Sequence, residues 1–284
     1  MYYGLYGAVC LLFFLWVLFP ADYFADYLEN MAARQGGGLS MEIGRARPSL
    51  PFGITMTDVY VNMGEQTRLK ADYLKVSPGL FSLLGKSPAI SFSSGIFGGK
   101  VKGKVRWLSS ARGALAVEKL SVEDADLAMV KQQAPGILPN YSIKGVLSAD
   151  GHYTPEGRGN GKINVNIKEL MFETKQPIFT INNLNFNDIS VNMDIKNRKC
   201  EIEQCVIEGN EIDGAMKGSV LIREPLERST LKLTGTLKPE KAFLDQLRKT
   251  MPVEAVVGNQ MNDQGEIPFN VSGMLGAPSY TLSR

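Results

Sequence analysis

The ten residues Asp188 to Asn197, DISVNMDIKN, alternate without a slip: Ile189, Val191, Met193 and Ile195 fall on one side, and Ser190, Asn192, Asp194 and Lys196 on the other. A period of two places successive side chains on opposite faces of an extended chain, so this stretch reads as a half-buried β-strand. The same alternation runs through most of the sequence from Leu39 onward, in stretches separated by Gly, Pro and Asn. KINVNIK puts Ile163, Val165 and Ile167 together, and LKLTGTL does so with Leu231, Leu233 and Leu237. A chain written this way folds as a sheet with one apolar face, and the question is what that face is for.

Helical stretches are few and short. PGLFSLLG (Pro78 to Gly85), DADLAMVKQQ (Asp124 to Gln133) and PEKAFLDQLRKT (Pro239 to Thr250) each read as one to three turns, the last with Pro239 in a first-turn position where its missing N–H costs nothing. Blocks of sequence also recur in one order. DVYVNM (Asp58 to Met63) matches DISVNM, and FGGKVKGKV (Phe97 to Val105) matches IDGAMKGSV (Ile212 to Val220); in each copy a short helix follows, then YSIKGVL or FNVSGML. This order predicts two similar β-modules, 38–152 and 153–284, joined into one sheet. Val59 and Val61 should then share an apolar face with Ile189, Val191, Met193 and Ile195. Glycines at matching places inside the strands predict a sheet that is curled rather than flat. Whether the apolar face is a closed core beneath a helix or an open groove stays undecided by pattern alone.

The N-terminal stretch has a different composition. MYYGLYGAVCLLFFLWVLFPA carries no charged side chain through Ala21, and as a helix it would reach about 30 Å, the thickness of a bilayer's hydrocarbon core. Tyr2, Tyr3 and Tyr6 at one end and Trp16 and Phe19 toward the other resemble the aromatic belts of a resident helix around Leu11, Leu12, Phe13, Phe14 and Leu15. No Lys or Arg precedes the run and no small-x-small site follows it, which argues against a cleaved signal peptide. Residues 1–21 are therefore expected to form a single-pass anchor with its N-terminus cytoplasmic. Residues 22–37 follow as a juxtamembrane helix and linker, with Tyr23, Phe24, Tyr27, Leu28 and Met31 on its apolar side.

Motifs that carry chemistry are scarce. His152 is the single histidine, in the turn-rich stretch ADGHYTPEG; no nucleophile elbow, Walker A or dinucleotide fingerprint accompanies it. Cys10 lies in the apolar run, and Cys200 and Cys205 lie five residues apart, about 16 Å along a strand and too far for a disulfide. Enzymatic activity, a cofactor and a metal are not expected, and a net charge of +2 spread over mixed surface charges gives no sign of nucleic-acid binding. KVKGKVRW places Lys100, Lys102, Lys104 and Arg106 on one face of a strand. That stripe fits either anionic headgroups or a solvated face neutralised across the strand by Glu118.

Two segments, LKADYLKVSPGLFSLLGKSPAISFSSGIFGGKVKGKV (Leu69 to Val105) and GEIPFNVSGMLGAPSYTL (Gly265 to Leu282), resemble the AsmA-like periplasmic proteins. Within that group, the length, the single anchor and the sparse His and Cys content are most similar to the protein N family of the type II secretion system. The resemblance implies a mainly β fold: an N-terminal transmembrane helix followed by an elongated, curled antiparallel sheet, a groove or half-barrel, with a few short helices. It implies an inner-membrane protein with a periplasmic body, working with other secretion-system components to export proteins across the outer membrane. The wider AsmA-like group implies an alternative, in which the apolar groove handles lipid acyl chains.

Overall fold

The computed structural model describes residues 3, 4, 6, 7, 10, 13, 14, 18, 21–34, 39–49, 53–63, 67–79, 87–108, 115–135, 141–156, 159–178, 181–223, 228–248 and 260–282. Its strands are β1 (Leu39–Ser49), β2 (Gly53–Met63), β3 (Thr67–Pro78), β4 (Ala89–Ile96), β5 (Gly99–Trp107), β6 (Leu115–Asp126) and β7 (Tyr141–Thr154). They continue as β8 (Asn160–Ile178), β9 (Ile181–Lys196), β10 (Lys199–Gly209), β11 (Ile212–Leu221), β12 (Thr230–Pro239), β13 (Ile267–Met274) and β14 (Ala277–Leu282). All fourteen form one antiparallel sheet whose spatial order is the order of the sequence, with β1 and β14 as its open edges. Each connection is therefore a hairpin-type return, the solution available to a chain of alternating segments separated by turn residues. The boundary expected between 38–152 and 153–284 falls inside β7, where the ladder to β8 passes through His152 and Tyr153 without a break.

Among the described residues, 3, 4, 6, 7, 10, 13 and 14 are helical, and three further helices follow: α1 (Ala21–Arg34), α2 (Leu127–Gln133) and α3 (Lys241–Arg248). The expected starts of the last two shift inward. Asp124 and Asp126 belong to β6, and Asp126 caps α2 by accepting from the Ala128 N–H at 2.8 Å. Pro239 is the last residue of β12, opposite Ile212, rather than a first-turn helical residue. His152, expected in a loop, is an exposed strand residue opposite Lys162. The helix expected at Pro78 to Gly85 lies outside the described residues after Gly79, and Pro78 itself closes β3.

Helix α1 shields one edge of the sheet. Ala25 and Leu28 pack against Ile43 and Val59, and the Glu29 carboxylate accepts the Ile43 N–H of β1 at 2.6 Å. An edge donor that would otherwise be open for strand pairing is thereby satisfied. Of the side expected from periodicity, Leu28 packs, whereas Tyr23 and Tyr27 point to solvent, and the side chains of Phe24 and Met31 lie outside the described set. Small Ala25 allows the close approach that a tyrosine would prevent. No helix among the described residues is long and apolar enough to cross a membrane. Of the expected anchor residues, Tyr3, Phe13 and Phe14 are described and exposed, whereas Tyr2, Leu11, Leu12, Leu15, Trp16 and Phe19 lie outside the described set.

Strict alternation would send half of each long strand's apolar residues to the wrong face, and local breaks correct this. In β2, Ile54 and Met56 pack in the same cluster as Val59 and Val61, although their parity differs. Asp58 between them has φ 52°, a left-handed conformation that Asp tolerates better than most residues and that resets the facing order. Glu169 in β8 (φ 51°) separates Ile163, Val165 and Ile167 from Leu170 and Phe172 in the same way. In β10 a bulge between Ile202 and Cys205 brings Cys200, Ile202 and Cys205 to one face.

Glycines on the apolar face lie beneath aromatic rings from neighbouring strands. Phe92 covers Gly103, and Phe269 covers Gly235. A Cβ at Gly235 would sit 2.8 Å from the Phe269 ring and against the Ala215 carbonyl, which is backbone and cannot swing aside. Gly235→Ala is therefore expected to lower stability by about 1–3 kcal/mol, read as a fall in Tm. An unchanged Tm would mean that the ring does not rest on the glycine.

Candidate functional site

The register assigns one residue per strand to a lateral row that crosses the whole sheet. It begins Ala46, Met56, Leu74, Ser94, Val101, Val122 and Ala149 on β1 to β7. It continues Val165, Val191, Cys205, Met216, Gly235, Phe269 and Leu282 on β8 to β14. Thirteen strand spacings make this row about 60 Å along the sheet. It contains no charged side chain, and its one polar member, Ser94, donates its hydroxyl hydrogen to the Tyr73 carbonyl at 2.8 Å. Paired residues share a face, so Val59 and Val61 lie on the same side of the same sheet as Ile189, Val191, Met193 and Ile195.

The two ends of this face differ in cover. Near β1 it is closed: Val59 is 1% exposed and Met56 2%, beneath α1. In the middle, Ile189, Val191, Met193 and Ile195 are all only half-buried. All described strands belong to the one sheet, so no second sheet is present among them to cover this stretch. Toward β14, Leu231, Leu233 and Val271 form a smaller cluster with Ile202, Met216 and Phe269. What sequence reading missed were other members of the row, such as Met56, Leu74 and Met216; the available signal was the alternation within each strand, which loses phase at the breaks described above.

The opposite face is polar and internally neutralised. Lys100, Lys102, Lys104 and Arg106 share it, as their alternation requires. Lys102 Nζ meets Glu123 at 2.7 Å, Lys104 Nζ meets Glu118 at 2.7 Å, and Arg106 pairs with the same Glu118. The hydrogen bond from Lys102 holds the Glu123 carboxyl below the ordinary carboxylate range, against a smaller opposing effect of burial. The stripe is thus largely paired within the sheet. A hollow of about 490 Å³ on β10 to β13 is lined by Cys205, Met216, Gly235 and Phe269 of the row as well as by Ala215, Thr236 and Pro268.

Asp194 is the one buried carboxylate on the polar face among the described residues. Lys196 Nζ donates to it at 2.8 Å and Lys162 Nζ lies 3.4 Å away, and the Lys196 hydrogen bond is the main reason its carboxyl is held below the usual range. A depressed native value adds stability above the ordinary aspartate range that is lost as pH falls through the native value. Asp194→Asn should therefore destabilise the protein at neutral pH, and the gap from wild type should narrow as pH falls below the ordinary aspartate range. Denaturant titrations across that range measure it, and a gap independent of pH would remove the charge from the account.

Cys200 and Cys205 are both free and buried on the apolar face, and burial raises both thiols above the ordinary cysteine range. They should alkylate slowly at neutral pH, and non-reducing peptide maps should show no bridge between them. No group of three or more His, Cys, Asp or Glu side chains is arranged to hold a metal ion among the described residues. What the arrangement offers a ligand is an extended apolar surface with a polar back. No protein-family model, curated protein or solved structure matches the chain.

Proposed function

We propose that the protein is a non-enzymatic carrier whose sheet forms a curled trough for lipid acyl chains, held at a bacterial inner membrane by the apolar N-terminal run with its body in the periplasm. The observation that carries this reading is the charge-free row through all fourteen strands, half-buried in its middle with no second sheet over it among the described residues. Apolar surface left open to water on this scale is costly, and a methylene chain laid along it removes both surfaces from water at about 25 cal/mol per Å². Acyl chains fit a face of this kind because they need no directional partner. The resemblance to AsmA-like proteins supports the same reading.

A second reading, in which the protein serves the type II secretion system by binding other components, is supported by the outer edge of β14. No strand covers that edge among the described residues, and Ala277–Leu282 contains none of the charged side chains that usually guard an edge. Photo-crosslinking separates the two. A benzoylphenylalanine at Val191, on the apolar face, should form lipid adducts in intact cells, whereas the same group at Asn192, on the polar face, should not. Protein adducts at both positions with no lipid at Val191 would favour the secretion reading.

A further inference from the structure

The two long rims of the sheet differ in chemistry. The rim at which β5 meets β6, β7 meets β8, and so on to β13 and β14, exposes Trp107, Leu115, Tyr153, Leu221, Met274 and Leu275. These are six of the large apolar side chains that the sheet and its turns leave open to solvent, and they lie at strand ends or a turn rather than on the apolar face's middle. Between them stand Arg198, Arg223 and Arg228, exposed and without an ion-pair partner among the described residues. Lys162 and Lys196 add to this rim and share the single carboxylate of Asp194. The opposite rim, where β6 leads to β7, β10 to β11 and β12 to β13, carries charges of both signs, Asp124, Glu211, Glu240, Asp263 and Glu266 beside Lys131, Lys238 and Lys241.

From this asymmetry we infer that the Trp107–Leu275 rim lies on an anionic bilayer surface, with the opposite rim turned away. Trp and Tyr favour the boundary between headgroup and acyl chain, arginines beside them reach the phosphates, and aliphatic side chains at the same level enter the hydrocarbon. Each unpaired cation near an anionic surface adds attraction, which the mixed charges of the opposite rim do not supply. The inference goes beyond the trough reading, because a trough can hold acyl chains whichever rim faces a membrane. A protein partner fits the pattern less well, since a row of apolar residues spread across ten strands and alternating with arginines offers no compact centre for burial.

The N-terminal run will itself hold the full chain on vesicles, so the readout has to be local to the rim. Trp107 becomes the sole tryptophan in a Trp16→Phe background. The full chain is reconstituted into vesicles of mixed phosphatidylglycerol and phosphatidylcholine, with or without bromine on the acyl chains. Bromine should lower Trp107 emission about twofold or more. In pure phosphatidylcholine, or after Arg198→Glu and Arg223→Glu together, the quenching should fall about tenfold, as expected for charges acting near an anionic surface. A single tryptophan placed on the opposite rim by Asn210→Trp, in a background lacking Trp16 and Trp107, should stay unquenched. The inference is overturned if Trp107 is insensitive to bromine, if neutral vesicles quench it equally, or if the Asn210→Trp probe is quenched as strongly. None of those results bears on lipid adducts at Val191, so the trough reading is tested separately.

Discussion

Val59→Asp is expected to unfold the β1–β3 end of the sheet. Val59 is the most buried apolar residue of the cluster under α1, touching neither solvent nor a polar partner, with Ile43 and Ala71 opposite it on the flanking strands. A carboxylate there loses its hydration and gains no cation, so the change should cost about 4 kcal/mol or more. Limited proteolysis should cut within β1 to β3 at protease levels the wild type resists. A variant that kept wild-type resistance would show that α1 does not seal this end.

Val191→Asp should have the opposite profile. Val191 occupies the same lateral row as Met56, but it is half-buried, on a stretch where no second layer covers the face among the described residues. The carboxylate can stay hydrated at the surface, so the fold should tolerate the change within about 1–2 kcal/mol. Acyl-chain binding should fall about tenfold or more, because a charge in the middle of the row would have to be desolvated under a methylene chain. Circular dichroism and bound-lipid analysis of one preparation read both effects. Loss of fold together with binding would identify this stretch as closed core.

The contrast between Val59 and Val191 also shows how far the sequence can be read. Alternation was enough to identify both as apolar-face residues, because side-chain direction in a strand is a local property. It could not say that one lies beneath a helix and the other in the open, since cover depends on where α1 packs. The sequence pattern caught α1 only in part: Leu28 packs as expected, but Tyr23 and Tyr27 on the same arc face solvent, while Ala25 makes the close contact. Phase breaks were harder still. Nothing in DVYVNM alone announces that Asp58 is left-handed, although its place between two apolar pairs of opposite parity, Ile54 with Met56 and Val59 with Val61, is consistent with a reset there.

Some of the recurring sequence blocks occupy comparable places. Asp58 is itself a phase break, and Asp188 stands opposite Lys168, beside the break at Glu169 on the adjacent strand. Gly103 and Gly218 both lie on the apolar face of their strands, β5 and β11, the first beneath Phe92 and the second with its Cα against the backbone of Lys232 and Leu233. The basic stripe was legible as a stripe, and Glu118 as its partner; that Glu118 serves both Lys104 and Arg106 depends on the register shift between Lys104 and Val105.

The central claim is that the charge-free row holds acyl chains, and native mass spectrometry of the full chain tests it most directly. Protein extracted gently from membranes should carry mass increments matching phospholipids or fatty acids, and the increments should be lost in Val191→Asp while the folded charge-state distribution is kept. Bare wild-type protein under conditions that preserve lipid on a control carrier, or increments equally abundant in Val191→Asp, would contradict it.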